Sequence, residues 1–134
     1  MTIKVKISEL QPAAFSLHAI AQVKSKFKFG YDIAKRLRAI NAELKEIDEN
    51  RMNLLKELSG GKMTEDGKNF DLGDKSDEFS NKYKEILDTE IELNVLPMLT
   101  TDFADIEIEP AHLINIDFLI QEPQPAVNDN AANS

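Results

Sequence analysis

The sequence predicts an α+β fold that is mainly helical: a long antiparallel helical hairpin with two shorter helices and a small sheet of short strands. Three observations support this class. Apolar residues over residues 33–58 recur in steps of four and three, which is the period of one helix face. The same spacing returns over residues 76–90, after a turn-rich loop. Finally, short segments with alternating apolar and polar residues are typical of half-buried strands.

The first elements of the chain are a strand and a short helix. Residues 2–7 alternate between apolar residues and lysines, which predicts a strand with one buried face. Pro12 suits the first position of a helix, because the missing N–H is not needed there. That helix is predicted over residues 12–25, and it is apolar on so many sides that we expect it to be buried. Residues 26–29 alternate again before Gly30, which predicts extended backbone.

The longest predicted element is the helix over residues 33–58. Its apolar face has the spacing of a heptad seam, so it must pack against another helix. The seam consists of Ile33, Leu37, Ile40, Leu44, Ile47, Arg51, Leu54 and Leu58. Arg51 is its one charged member, and it has two interpretations. It either sets register or oligomeric state, or it extends to solvent and pairs with Asp48 one turn earlier.

The second half of the chain is predicted to return along the long helix. Glycines after Ser59 suit a helix C-terminus, and residues 62–75 contain the turn signal Asp66-Gly67, which indicates a β-hairpin or an ordered loop at the tip. The helix over residues 76–90 would then pack antiparallel on the seam. Two further strands are predicted over residues 91–95 and 105–108.

Pro110 begins the last predicted helix, which is densely apolar through Ile120. We see no repeat and no domain boundary, so residues 1–121 are predicted to form a single helical-hairpin domain. Residues 122–134 contain two prolines and little apolar surface to bury. They are predicted to be a disordered tail.

Composition excludes several classes of function. The chain has 134 residues and no cysteine, which rules out disulfides, thiolate metal sites and cysteine nucleophiles. There is no apolar run of the length that a membrane span needs, and the N-terminus lacks the apolar core of a signal peptide. We therefore expect a protein that does not contact a membrane.

No segment contains a catalytic or cofactor-binding motif. The Gly-Gly-Lys at residues 60–62 lacks the remaining residues of a P-loop, and the acidic loop over residues 66–78 lacks the first aspartate of an EF-hand. His18 and His112 fall in different helices without a partner at metal-ligand spacing, so each is expected on a helix surface or partly buried. We expect no enzyme activity, no cofactor and no metal ion.

The net charge of −8 is divided unevenly along the chain. Residues 1–58 contain 11 basic and 7 acidic side chains, whereas residues 59–134 contain 5 basic and 17 acidic ones. The two halves either attract each other in the fold or face different partners. The candidate interaction surface is a cluster of six cations, Lys24, Lys26, Lys28, Lys35, Arg36 and Arg38, opposed within that stretch only by Asp32.

A resemblance to known proteins is carried by three segments in this order: FGYDIAKRLRAINAELKEIDENRMNLLKEL, then EILDTEIEL, then DIEIEPAHLINIDFLI. The second contains the step Thr89-Glu90, and the third contains an I-E-I-x-P-x-x-L motif over residues 106–113. Over residues 17–121 the chain resembles a group of small uncharacterised proteins encoded by tailed bacteriophages and prophages. The resemblance implies a viral origin and a location in the host cytoplasm or in the virion. It carries over no active site.

These observations predict a non-enzymatic, phage-encoded interaction protein that binds a virion component or a host factor through helical surfaces. The alternative is a protein that faces nucleic acid. In that case either the acidic half mimics DNA and inhibits a host defence enzyme, or the basic cluster contacts phosphates.

The sequence also raises the prospect of a homodimer. The predicted second helix is too short to cover the whole seam, so the part between Ile33 and Ile40 needs cover from helix 12–25 or from a second subunit. Because helix 12–25 is apolar on more faces than one partner covers, we expect a two-fold dimer along this seam.

Overall fold

A computed structural model describes residues 2–123 and has the mainly helical α+β fold that the sequence predicts. Short 3₁₀ turns connect several of its elements. In chain order these elements are β1 (Ile3–Lys6), α1 (Leu10–Ala21), α2 (Phe27–Ser59), α3 (Ser76–Asp88), β2 (Glu90–Leu93), β3 (Met98–Leu99), α4 (Pro110–Asn115) and β4 (Ile120–Gln121). Of the predicted C-terminal tail, residues 124–134 lie outside the described residues.

The predicted long helix is confirmed as α2, which is continuous over 33 residues. Its seam faces inward: Ile33 and Ile40 are fully buried, and Ile47 and Leu58 are also buried. The helix ends at Gly60, whose φ of 64° gives the left-handed cap that a glycine adopts without a steric penalty.

The first half of the seam is covered by α1. Buried residues of α1 recur at helical spacing, and they belong to the same core cluster as Ile33 and Ile40. They are Leu10, Ala13, Leu17 and Ile20. The part of the seam for which the sequence suggested a second subunit is therefore closed within one chain. The homodimer stays a prediction. The reason for expecting it was a part of the seam without cover, and α1 covers that part.

The helix α3 returns antiparallel beside the second half of α2, as predicted. Tyr83 and Leu87 of α3 line one groove together with Leu44 and Ile47 of α2. The apolar residues of α3 are only half-buried, so this end of the molecule is packed less tightly than the α1–α2 end.

The loop between α2 and α3 contains the predicted hairpin turn. The Thr64 N–H donates to the Asn69 carbonyl at 2.9 Å, and Met63 forms an antiparallel bridge with Phe70. Gly67 adopts a φ of 69° at the turn. A hydrogen bond from the Thr64 hydroxyl holds the pKa of the Asp66 carboxyl below its usual value.

Two small sheets form the β part of the fold, and one differs from the prediction. β1 and β2 pair antiparallel, with Val5 opposite Ile91, which confirms the strands predicted near residues 2–7 and 91–95. The strand predicted over residues 105–108 is wrong. The second sheet instead joins β3 to β4 in parallel, with Met98 opposite Ile120. The alternation at 105–108 serves side-chain packing, since Ile106 and Ile108 contact the core without a strand partner.

Two helix starts also differ from the prediction. α1 begins at Leu10 rather than at Pro12, so the proline occupies the third helical position. Its missing N–H is harmless there too, because the first turn of a helix has no internal acceptors. Residues 27–29 are not extended, since α2 begins at Phe27, whereas Lys26 just before the helix has the extended backbone that the sequence predicts. In an extended strand the rings of Phe27 and Phe29 would lie on the same face. In the helix they point to different sides, so Phe29 is buried and Phe27 is exposed.

The two shorter helices end earlier than predicted. α1 stops at Ala21 rather than near residue 25, and α4 begins at Pro110 as predicted but stops at Asn115. A 3₁₀ turn at residues 117–119 then redirects the chain into β4. This turn buries Ile116 and Leu119, so the apolar run continues without a continuous helix.

Replacement of a fully buried seam residue should destabilise the protein strongly. We expect Ile40→Ala to lower the free energy of unfolding by about 2–5 kcal/mol, because it removes methyl groups from a closed core. The matched control is Asn41→Ala, an exposed neighbour that should change stability by less than about 0.5 kcal/mol. Urea unfolding followed by circular dichroism measures both, and equal effects would contradict the buried seam.

Candidate functional site

The six predicted cations do not all lie on the surface. Five of them are exposed: Lys24, Lys26, Lys28, Lys35 and Arg38. Arg36 differs from them in being only 9% exposed, and its part in an interaction surface stays a prediction. A buried arginine is stable only when its charge and its N–H groups are satisfied, and the surrounding backbone meets that need.

Arg36 connects α2 to the chain that follows β2. Its Nε and Nη2 donate to the Leu96 carbonyl at 3.2 and 2.7 Å, and its Nη1 donates to the Asp32 carbonyl at 3.0 Å. The Asp32 carboxylate lies 3.8 Å from Nη1. These contacts hold residues 94–96 against the first half of α2.

Asp32 is shared between two of the cations. In addition to its contact with Arg36, it accepts a hydrogen bond of 2.8 Å from Lys28. This hydrogen bond, with the attraction between the two charges, raises the pKa of Lys28 above its usual value. Asp32, the one acidic residue within the cluster, therefore already pairs with Lys28 and Arg36. It does not neutralise the positive charges of Lys35 and Arg38.

Two exposed aromatic rings lie beside these cations. Phe27 is 84% exposed and Tyr31 is 48% exposed, and the two rings stack with 5.7 Å between centroids and 11° between planes. The Lys35 ammonium lies 5.5 Å from the Tyr31 ring centroid. We call Phe27, Lys28, Tyr31, Lys35 and Arg38 the aromatic–basic surface. The sequence pattern does not indicate this pair of rings, because alternation over residues 26–29 predicts extended backbone there. The spacing of 27, 31 and 35 in steps of four was the available signal.

A cleft opens at one side of the aromatic–basic surface, between α2 and residues 94–96. It encloses about 300 Å³. Its lining combines three cations with an amide and apolar side chains: Lys35, Arg36, Arg38, Ala39, Asn94, Val95 and Leu96. We call this the basic cleft. Leu96 is 57% exposed, so the wall opposite α2 offers apolar surface beside the charges.

A second depression of about 580 Å³ lies where α1, α2 and α3 meet. Its lining is mostly apolar and includes Phe15 of α1 and Tyr83 of α3. Phe15 and the exposed Ile114 place further apolar surface on the α1 and α4 side of the molecule.

Among residues 2–123, Ser16 and His112 form the one contact that resembles a nucleophile with its base. The Ser16 Oγ lies 2.9 Å from His112 Nδ1 and accepts a hydrogen bond of 3.0 Å from the Asn115 side chain. Ser16 is fully buried, so its hydroxyl cannot meet a substrate. The three residues instead connect α1 to α4. His112 is partly buried and His18 is exposed, which matches the prediction for both histidines.

Arg51, the charged member of the seam, pairs along its own helix. Its Nη2 and Nε donate to the Asp48 carboxylate at 2.9 and 3.1 Å. The second interpretation of Arg51 is therefore confirmed, and the residue needs no partner from another subunit to satisfy its charge.

Within residues 2–123, no group of three or more histidines, aspartates and glutamates is arranged to hold a metal ion. Nor is any helix in this part of the chain both long and apolar enough to cross a membrane. Comparison with protein-family models, with curated proteins and with solved structures finds no match to the chain. The resemblance to phage and prophage proteins stays a prediction.

Arg36 and Arg38 provide a test of the structural role assigned to Arg36. We expect Arg36→Ala to lower the free energy of unfolding by about 1.5–3 kcal/mol, the range for hydrogen bonds made by charged groups. Arg38→Ala removes the same charge from an exposed position and should cost less than about 0.5 kcal/mol. Thermal and urea unfolding of both variants measure the difference. Similar losses in the two would contradict a specific role for Arg36.

Proposed function

We propose that this protein is a non-enzymatic, phage-encoded interaction protein that binds a protein partner through its helical surfaces, chiefly through the aromatic–basic surface of α2. The observation that carries the proposal is the exposure of Phe27, at 84%, within a group of exposed cations. A large ring that is left in water forgoes the stabilisation that burial would give it. Contact with a partner recovers that stabilisation.

The composition of the aromatic–basic surface supports a protein partner. Aromatic residues and arginine are enriched at protein interfaces, where they supply most of the binding free energy. Phe27 and Tyr31 are already stacked on each other, so less side-chain freedom is lost when a partner covers them.

The surroundings of Tyr31 favour protein over single-stranded nucleic acid. Nucleic-acid binding through aromatic residues requires open ring faces on which bases stack. Tyr31 already stacks on Phe27 one turn before it and has the Lys35 ammonium 5.5 Å from its centroid one turn after it, so a base would have to compete with these two neighbours for the ring. Exposed cations next to apolar rings instead suit a partner that carries both acidic and apolar side chains.

The identity of the partner is proposed from the sequence resemblance alone. That resemblance suggests a virion component or a host factor, and a location in the bacterial host cytoplasm or in the virion. An acidic partner surface fits either choice, because the aromatic–basic surface concentrates positive charge in a chain whose net charge is −8.

The second candidate function is contact with nucleic acid. The five exposed cations of the predicted cluster lie within one stretch of the chain, from Lys24 to Arg38, and could contact phosphates. Binding of this kind weakens with salt, with a logarithmic slope of about −0.9 for each phosphate contacted. A gel-shift series with duplex DNA at several salt concentrations tests it. The DNA-mimic form would instead show competition between this protein and DNA for a host enzyme.

The leading proposal is tested by photo-cross-linking in cells of the bacterial host. We expect the full-length protein with p-benzoylphenylalanine at position 27 to form an adduct with a defined protein, identified by mass spectrometry. Because the cations orient that partner, Lys35→Glu combined with Arg38→Glu should abolish the adduct.

The matched control places the same photoreactive residue at Glu49, which is exposed on α2 about 33 Å further along the helix. This control should give no adduct with that protein. The same adducts from both positions, or none from position 27, would contradict the proposed interface.

A further inference from the structure

We propose that the basic cleft is a binding site for a carboxylate group of an acidic protein segment, held by Lys35, Arg36 and Arg38 with the Asn94 amide opposite. This proposal rests on the proposed function in one respect, which is that the carboxylate belongs to a protein partner. The affinity of the cleft for an anion rests on its own geometry.

The cleft brings together cations from successive turns of α2. Lys35 and Arg38 are three residues apart and therefore lie on the same side of the helix, while Arg36 forms the fixed part of the lining. In the part of the chain that the structure describes, no carboxylate lies within ion-pair distance of Lys35 or Arg38. The charge that these two side chains carry is available to a ligand.

Arg36 is held in place before any ligand arrives. Its three hydrogen bonds to backbone carbonyls use one N–H of each guanidinium nitrogen, and the Asp32 carboxylate lies 3.8 Å from Nη1. The second N–H groups of Nη1 and Nη2 make no hydrogen bond within the described residues and are left for an anion. A guanidinium fixed in this way loses little freedom on binding, and its planar geometry matches a carboxylate. Arg36 therefore serves both as a structural residue and as a fixed contact for the anion.

The apolar wall indicates a carboxylate on a hydrocarbon chain. Leu96 is 57% exposed beside the cations, and Val95 is half-buried next to it. A glutamate side chain, followed by an apolar residue, would place its carboxylate on the cations and cover Leu96. A phosphate group has no hydrocarbon part that could pack against Leu96 and Val95.

The test is a titration of the isotope-labelled full chain, followed by nuclear magnetic resonance. The probe is the peptide Glu-Glu-Leu-Glu-Glu-Leu, and its control is Gln-Gln-Leu-Gln-Gln-Leu, both acetylated at the N-terminus and amidated at the C-terminus so that only the side chains differ in charge. We expect saturable shifts of the Arg36 Nε–H, the Asn94 side-chain amide and the Leu96 backbone amide with the acidic peptide. The glutamine peptide should bind at least about tenfold more weakly, because it lacks charge-assisted hydrogen bonds.

Variants separate the cleft from general charge attraction. Lys35→Gln with Arg38→Gln should weaken binding of the acidic peptide about tenfold, from two partly exposed ion pairs. The control pair Lys56→Gln with Lys82→Gln removes the same charge from exposed sites on the second half of α2 and on α3. It should change the affinity by less than about twofold.

Several outcomes would overturn the proposal. One is an equal loss of affinity in the two variant pairs, and another is the absence of shifts at the three reporter groups. A third is saturation of the same reporters by a single-stranded decanucleotide, or by inorganic phosphate, at lower concentration than by the peptide. Peptide binding without a cross-link from position 27 would support the carboxylate site and contradict the proposed interface. A cross-link from position 27 without peptide binding would support the interface and contradict the carboxylate site.

Discussion

The rest of the structure depends on the packing of α1 against the first half of α2. Full burial of Ile33 and Ile40 contributes on the order of 1.5–3 kcal/mol each, and it fixes the rotation of α2 about its axis. Once those two residues face inward, a helix with 3.6 residues per turn must present Phe27, Tyr31 and Lys35 to solvent. The candidate interaction surface is thus the face of α2 opposite the seam that forms the core. A rotation of α2 that moved one face would therefore move the other.

Arg36 lies between these two faces and joins them. It is the one buried member of the six cations that the sequence suggests, and its contacts with Leu96 position the second wall of the basic cleft. A residue that supports the fold therefore also shapes the candidate site. Since Asp32 bridges Lys28 and Arg36, these charges are organised along about two turns of helix, and Lys35 and Arg38 remain outside that network.

The parts of the fold that the sequence predicts are those with local periodic signals. The seam of α2, the strands β1 and β2 and the turn at Gly67 all follow from spacing or from turn chemistry. The burial of Arg36 could not be predicted, because its acceptor lies 60 residues away at Leu96 and the local sequence resembles that of the exposed cations. The two-residue strands β3 and β4 are too short to carry a period, and their pairing is set by tertiary packing. The aromatic–basic surface was within reach of sequence reasoning, since it required only that the helix begin at Phe27.

Hydrogen–deuterium exchange of the full chain at two protein concentrations tests most directly whether one chain closes its own core. We expect that backbone amides of α2 between Ile33 and Ile47 exchange among the slowest, and that their protection is the same at low and high protein concentration. Rapid exchange in this segment, or protection that increases with concentration, would contradict it, because a second subunit rather than α1 would then cover the seam.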